Sequence, residues 1–163
     1  MKEIKLIPAG KGDINAISGL AQKIWNQYYP AIISQQQIDY MLDKMYSQES
    51  LKEQMSKKGH LFYFISHNKD NLGFISVNRE SGNGWFINKF YIDQTQAHKG
   101  IGTSAFQLLL QLIQPSKISL TVNRQNFLSI NFYFKNGFKI EKVADFDIGN
   151  GYVMNDFVMV RKF

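Results

Sequence analysis

The spacing of apolar residues predicts a helical first third of the chain after one short strand. Ile4–Ile7 is a strand-like run that ends before the first proline. Behind Asp13, a residue type that often caps helices, apolar residues recur every three to four positions until Pro30 ends the pattern. Ser34, followed three residues later by glutamine, forms a capping box for a second amphipathic helix, and residues 49–56 predict a third, short one.

From Leu61 the period changes to that of strands. Leu61–Ser66, Leu72–Val77 and Trp85–Ile92 are apolar or alternating runs separated by turn-like residues. Their short connections predict three strands in an antiparallel meander.

The last third alternates between helix and strand. A helix is predicted after Gly102 and ends at Pro115. It is followed by a strand (Ile118–Val122), a helix that ends before Gly137 (Asn126–Asn136) and two final strands (Lys139–Asp147 and Met154–Arg161). The order of elements predicts a mixed α+β fold, with a mostly antiparallel twisted sheet and helices on both faces. We found no repeat or linker, so we expect a single domain over residues 1–163.

The composition is that of a globular protein and excludes several chemistries. Of 163 residues, 44% are apolar and 20% charged, and there is no cysteine, which excludes disulfides, thiolate metal sites and a cysteine nucleophile. The three histidines, His60, His67 and His98, lie far apart and lack metal-ligand spacing, so we expect no metal. Neither a signal peptide nor an apolar run of about 20 residues is evident, so we expect a cytoplasmic protein without a membrane partner.

The net charge of +6 leaves two interpretations open. One is an ordinary solvated basic surface; the other is attraction for an anion, either a phosphorylated cofactor or a nucleic acid. Because lysine and arginine form no long block, a nucleic acid is the weaker candidate.

A glycine-containing turn, His98–Thr103, lies between a predicted strand and a predicted helix. Helix starts carry unpaired N–H groups that hold phosphates, and Gly100 and Gly102 would allow close approach, with Lys99 adding charge. A plain turn is the alternative.

Two other phosphate-binding motifs are excluded. The P-loop string is absent from the sequence. The glycines match the dinucleotide-binding motif literally, but residues 93–99 separate them from the preceding strand and no acidic residue ends the next strand.

A second motif, which lies on the helix that follows, completes a family resemblance. The string from Asn126 to Phe138 is similar to the N-x-x-A-x-x-F-Y-x-K-x-G-F helix of the GNAT acetyltransferases, with Ser129 in place of alanine. The glycine turn resembles their R/Q-x-x-G-x-G/A motif, although Ala97 stands at the Arg/Gln position. Asp145–Gly149 and Met154–Met159 also resemble the C-terminal end of bacterial spermidine/spermine N-acetyltransferases.

The resemblance implies acetyl-CoA as co-substrate and an amine acceptor that reacts with it directly. It implies three groups of cofactor-binding residues. The backbone groups that bind the pantetheine and thioester belong to Phe90, Tyr91 and Ile92. The pyrophosphate is bound by His98, Lys99, Gly100, Ile101, Gly102 and Thr103, and the rest of the cofactor is lined by Asn126, Tyr133 and Lys135.

The chemistry requires a proton acceptor for the amine and a proton donor for the departing thiolate. Tyr133 is the candidate acid. Many relatives carry a glutamate on the fourth strand, where this chain has Asn88, so Asp156 is our candidate base. An ordinary surface charge is the alternative for Asp156, and Glu80 and Asp93 are alternative carboxylates.

The acceptor stays open between several hypotheses. A small polyamine-like amine is the first; a protein N-terminus or lysine, or a non-catalytic CoA-binding sensor, are the others. A polyamine site requires a local acidic patch in this basic chain. Trp25, Tyr28 and Tyr29 would either line the acceptor pocket or pack in the core. We expect no nucleic-acid partner, and a homodimer remains open.

Overall fold

The structure, a computed structural model, describes residues 3–97 and 99–163. The described residues form seven strands and five α-helices. The strands are β1 (Lys5–Ala9), β2 (Leu61–His67), β3 (Asp70–Arg79), β4 (Gly84–Ile92), β5 (Lys117–Asn123), β6 (Lys139–Gly149) and β7 (Tyr152–Lys162). The helices are α1 (Ile14–Tyr28), α2 (Gln35–Tyr46), α3 (Gln48–Ser56), α4 (Ile101–Ile113) and α5 (Phe127–Lys135). The mixed α+β fold predicted from the sequence is therefore confirmed.

The strands form one sheet in the order β1-β2-β3-β4-β5-β7-β6. β1 with β2 and β2 with β3 are antiparallel, as are β5 with β7 and β6 with β7. The only parallel register among the described residues joins β4 to β5, from Gly84–Lys117 to Ile87–Leu120. On its other side β5 pairs with β7 over its whole length, from Lys117–Lys162 to Asn123–Asp156.

The first strand corrects a prediction. The chain was expected to leave the strand at Pro8, but β1 runs through it to Ala9, with Pro8 opposite Tyr63. Proline is tolerated here because β1 lies at the edge of the sheet, where one row of backbone donors needs no strand partner.

Residue contacts divide the chain into two compact units. The first comprises Met1–Asn78 with Lys89–Gln114, and the second Arg79–Asn88 with Pro115–Phe163. β4 thus contributes to both. The single domain expected from the sequence stays a prediction.

The first unit has a core of apolar side chains from α1, α2 and α3 and from strands β2 and β3. Its fully buried members include Ile17, Trp25, Ile38, Leu51 and Phe74. The helical spacing seen in the sequence explains which residues are buried, since positions three and four apart share one helix face. In the second unit the buried apolar residues include Ile118, Leu120, Phe138 and Met159. No helix among residues 3–97 and 99–163 is long and apolar enough to cross a bilayer.

Candidate active site

The glycine turn forms the start of a long helix, as predicted. Gly100 is the N-cap of α4 and has φ +73°, a left-handed conformation that favours glycine. The side chain of Ile101 is buried, so this residue offers its backbone N–H, while Lys99 and Thr103 are exposed. The first N–H groups of a helix have no partner within the helix, so residues 99–103 present donors and a positive helix end to an anion. His98 lies outside the described residues.

The loop that leads to this turn is fixed to α1 through Asp93. The carboxylate of Asp93 pairs with Lys23, accepts a hydrogen bond from Gln27 Nε2 at 3.1 Å, and accepts two from the backbone and hydroxyl of Thr95. Burial raises the pKa of Asp93, but the ammonium of Lys23 and the donors of Thr95 and Gln27 outweigh it and bring the pKa to about 2. A carboxylate this weakly basic and this fully engaged is unsuited to act as a base.

The end of β4 is anchored by Tyr91. Its ring lies 5.8 Å from that of Trp25 and 5.7 Å from that of Phe74, and its hydroxyl is 3.2 Å from the hydroxyl of Tyr29. Trp25 and Tyr29 are 1% and 6% exposed, so these two side chains belong to the core rather than to an open acceptor pocket. Tyr28 is half-buried, and burial raises its pKa.

In the second unit, the motif helix α5 buries the face predicted from its spacing. Asn126 is its N-cap, and the Asn126 side chain accepts a hydrogen bond from the backbone of Ser129 at 3.3 Å. Ile130 and Tyr133 are buried, whereas Lys135 is exposed in the last turn. The cap gives Asn126 a structural role in addition to the predicted contact with the cofactor.

Tyr133 is held between two aromatic rings. The centroids of Phe132 and Phe138 each lie 5.4 Å from the centroid of Tyr133, in edge-to-face geometry. Gly137, with φ +84°, ends the helix and allows the chain to turn back so that Phe138 reaches the ring. The motif string therefore positions its tyrosine through its own phenylalanines.

Asp156 is a buried carboxyl group rather than a surface charge. It lies on β7 opposite Asn123 of β5, is 5% exposed, and its Oδ1 has no hydrogen-bond partner among the described residues. Burial raises the pKa of Asp156 to about 6, against the lowering effects of Arg124 and of a hydrogen bond from Thr121. A carboxyl group with a pKa this close to neutrality can exchange protons at physiological pH.

Arg124, which the sequence analysis left without a role, organises this region. Its guanidinium donates to the backbone carbonyl of Asp156 at 3.3 Å and forms an ion pair with Asp145 at 2.9 Å. Arg124 lowers the pKa of Asp156, and Asp145 raises it. The only sequence signal was an arginine directly after a buried strand.

Glu80 is exposed, and its carboxylate is 3.4 Å from the hydroxyl of Ser119.

Among residues 3–97 and 99–163, no group of three or more His, Cys, Asp or Glu side chains could hold a metal ion. The predicted cofactor residues thus lie in both units, with Phe90–Ile92 and the glycine turn in the first and α5 in the second.

The fold and these elements are those of an acyltransferase domain. The model of the acetyltransferase (GNAT) domain family matches residues 30–150, so the chain belongs to this family and is a GNAT-type N-acetyltransferase. The resemblance noted in the sequence is confirmed.

Two comparisons concern Thermoplasma acidophilum. The chain is 25% identical over 158 residues to its spermidine N(1)-acetyltransferase, covering 93% of this chain and 92% of that protein. A crystal structure of PaiA N-acetyltransferase from the same organism, in complex with coenzyme A, is also 25% identical and superimposes with a TM-score of 0.82 over 99% of both chains. A GCN5-related N-acetyltransferase from Rhodopseudomonas palustris shares the fold at 15% identity, with a TM-score of 0.77 over 100% of this chain and 96% of that one.

Proposed function

We propose that this protein transfers an acetyl group from acetyl-CoA to a primary amine by direct attack within a ternary complex. Membership of the GNAT family and the coenzyme A bound to the PaiA protein support the cofactor.

In this proposal the cofactor is bound mainly by backbone groups. The pyrophosphate binds at the start of α4, where the turn His98–Thr103 contributes N–H groups and a glycine at φ +73° that suit an anion. The pantetheine and thioester bind along Phe90–Ile92. Asn126, Tyr133 and Lys135 line the rest of the cofactor. The exposed ammonium of Lys99 compensates for Ala97, which replaces the Arg/Gln side chain of the family motif.

The observation that carries the proposed mechanism is the buried, incompletely bonded carboxyl group of Asp156. An alkyl ammonium with a pKa near ~10.4 must lose a proton before it attacks. Asp156, with its pKa raised to about 6 and Oδ1 without a partner among the described residues, accepts that proton. It thereby replaces the fourth-strand glutamate of many relatives, where this chain has Asn88.

Tyr133 is the proposed acid that protonates the departing thiolate of CoA. Its ring packs edge to face against Phe132 and Phe138, and this packing favours the orientation of the phenol. An oriented donor raises the rate of proton transfer more than a mobile one.

The proposed acceptor is a small polyamine-like amine. The T. acidophilum relative is named for spermidine, and the buried carboxylate of Asp156 is a local acidic site that favours a cation in a chain of net charge +6.

The test is CoA release from acetyl-CoA, followed with a thiol reagent, against polyamines, amino acids and lysine peptides. The chain has no cysteine to react with the reagent. We expect release with polyamines, and Asp156→Asn should lower kcat/KM about hundredfold. Glu141→Gln, an exposed carboxylate on β6, is the matched control and should leave it unchanged. Release with peptides alone would refute the polyamine acceptor, and a fully active Asp156→Asn would refute the base.

A further inference from the structure

A lysine is buried in the middle of β4, next to the residues proposed to hold the thioester. Lys89 is 7% exposed and lies in the otherwise uncharged run Gly84–Ile92. Among the residues that the structure describes, no carboxylate pairs with it. Because removing an ammonium from water without a counter-ion is costly, a charge at this position calls for an explanation.

The Lys89 ammonium is held by one hydrogen bond and two aromatic rings. Its Nζ donates to Gln54 Oε1 at 2.6 Å and stands 5.4 Å from the ring centroid of Tyr46 and 5.5 Å from that of Phe62. Aromatic faces attract cations, so the two rings and the hydrogen bond offset part of the cost of burying the Lys89 charge without a carboxylate.

The orientation of the Gln54 amide is itself fixed. Its Nε2 donates to the backbone carbonyl of Met45 at 2.8 Å and to the hydroxyl of Ser50 at 2.9 Å. Rotating the amide would lose both acceptors, so Oε1 must face Lys89. Met45 lies in the last turn of α2, whose carbonyl end is partially negative and supports a cation through this relay.

Lys89 and Tyr91 leave β4 on the same face, because alternate residues of a strand share a face. Tyr91 packs into the aromatic core and Lys89 sits beside it, so both side chains hold this segment of β4 against the helices of the first unit. The backbone between them, at Phe90, is the segment to which the proposed function assigns the thioester.

We propose that Lys89 is a positioning residue whose buried positive charge polarises the thioester carbonyl of acetyl-CoA bound along Phe90–Ile92. This inference rests on the proposed function. The charge acts through the strand, in a medium of low dielectric constant where fields are weakly screened, and it favours the negative charge that develops on the carbonyl oxygen.

The surrounding titratable groups are consistent with this role. Burial and the charge of Lys58 lower the pKa of Lys89 to about 8, so it is still mostly protonated at pH 7. Burial, Lys89 and Lys58 lower the pKa of His60 to about 4, so His60 is neutral and adds no second charge. Tyr46, whose pKa burial raises, is neutral as well. Lys89 and Lys58 are therefore the cations of this cluster.

The test compares three variants with the wild type, using acetyl-CoA labelled with ¹³C at the carbonyl. Lys89→Met removes the charge and the hydrogen bond, Lys89→Gln keeps a donor for Gln54 without the charge, and Lys89→Arg keeps the charge. The infrared band of the bound carbonyl should move to higher wavenumber in the Met and Gln variants and stay near the wild-type position in Arg. For the two neutral variants kcat should fall about tenfold with little change in KM for acetyl-CoA, since a field acts on the transition state more than on binding.

Each other outcome decides against the proposal or against its premise. An unmoved band in the Met and Gln variants, or an Arg variant as impaired as the neutral ones, would show that Lys89 acts only through packing. A wild-type protein that binds acetyl-CoA but acetylates no amine would refute the proposed function. The infrared band of the bound carbonyl would then still show whether Lys89 polarises it. Failure of the wild type to bind acetyl-CoA would overturn both.

Discussion

The Cα of Gly73 on β3 stands directly against the carbonyl oxygen of Tyr91 on β4. A Cβ atom at Gly73 would come well within 3.0 Å of that oxygen, a distance that real Cβ atoms essentially never show, and to a tight 3.0 Å from the Cα of Ile92. One residue earlier, the carbonyl of Leu72 accepts a hydrogen bond from the N–H of Asp93 at 2.8 Å. Gly73 thus permits the close approach of the two strands where the thioester is proposed to bind.

Gly73→Ala should therefore displace the end of β4. We expect the free energy of unfolding to fall by about 1–3 kcal/mol, the range for overpacking, and affinity for acetyl-CoA to weaken. Thermal unfolding and CoA titration measure the two effects. Gly19→Ala on the exposed side of α1 is the control, since nothing lies within 4 Å of its Cβ, and it should gain up to about 1 kcal/mol from helix propensity. An unchanged Gly73→Ala protein would show that the strands separate easily here.

Tyr133→Phe should separate catalysis from cofactor binding. Phenylalanine keeps the packing against Phe132 and Phe138 and removes only the hydroxyl. We expect kcat to fall about hundredfold while the Kd for CoA stays nearly unchanged. Steady-state kinetics and calorimetric titration are the measurements, with Tyr40→Phe on α2 as control. Full activity of Tyr133→Phe would remove the acid role from this residue.

The groups around Asp156 should shift the acid limb of the pH profile in opposite directions. Arg124 lowers the pKa of Asp156, so Arg124→Gln should move the limb of kcat/KM to higher pH, above the value near 6. Asp145 raises that pKa, so Asp145→Asn should move the limb to lower pH. Profiles of both variants and the wild type measure the shifts. A limb that moves the same way in both variants, or in neither, would assign it to another group.

Asp93 should contribute stability that is lost in acid. Its folded pKa of about 2 lies below the ordinary value, so its stabilising contribution is complete above about pH 4 and disappears as the pH falls towards 2. Asp93→Asn should lower the free energy of unfolding at pH 7 by about 1–3 kcal/mol, the range for losing charge-assisted hydrogen bonds, and should flatten its dependence on pH in that window. Denaturant unfolding at several pH values tests this, with the exposed Asp43→Asn as control. Equal pH dependence in both variants would contradict the network at Asp93.

The cytoplasmic location and the single domain remain predictions from the sequence, and a homodimer remains open. The roles of the individual site residues are likewise proposals.

Local sequence determined most of the secondary structure and the two motifs. Helical spacing after Asp13, the cap at Ser34 and glycines at the positive-φ positions Gly100 and Gly137 act within a few residues, so they can be identified without knowing the rest of the chain. The family resemblance rests on the same local strings.

The tertiary structure decided what depends on distant neighbours. The chain order places β6 before β7, but pairing puts β7 between β5 and β6, and only this arrangement buries Asp156 opposite Asn123. Lys89 appears in the sequence as one charge in a strand, and its burial follows from Gln54, Tyr46 and Phe62, which are 27 to 43 positions away. Burial and electrostatic environment arise from contacts between segments remote in sequence, and a pattern with a period of two to four residues carries no information about them.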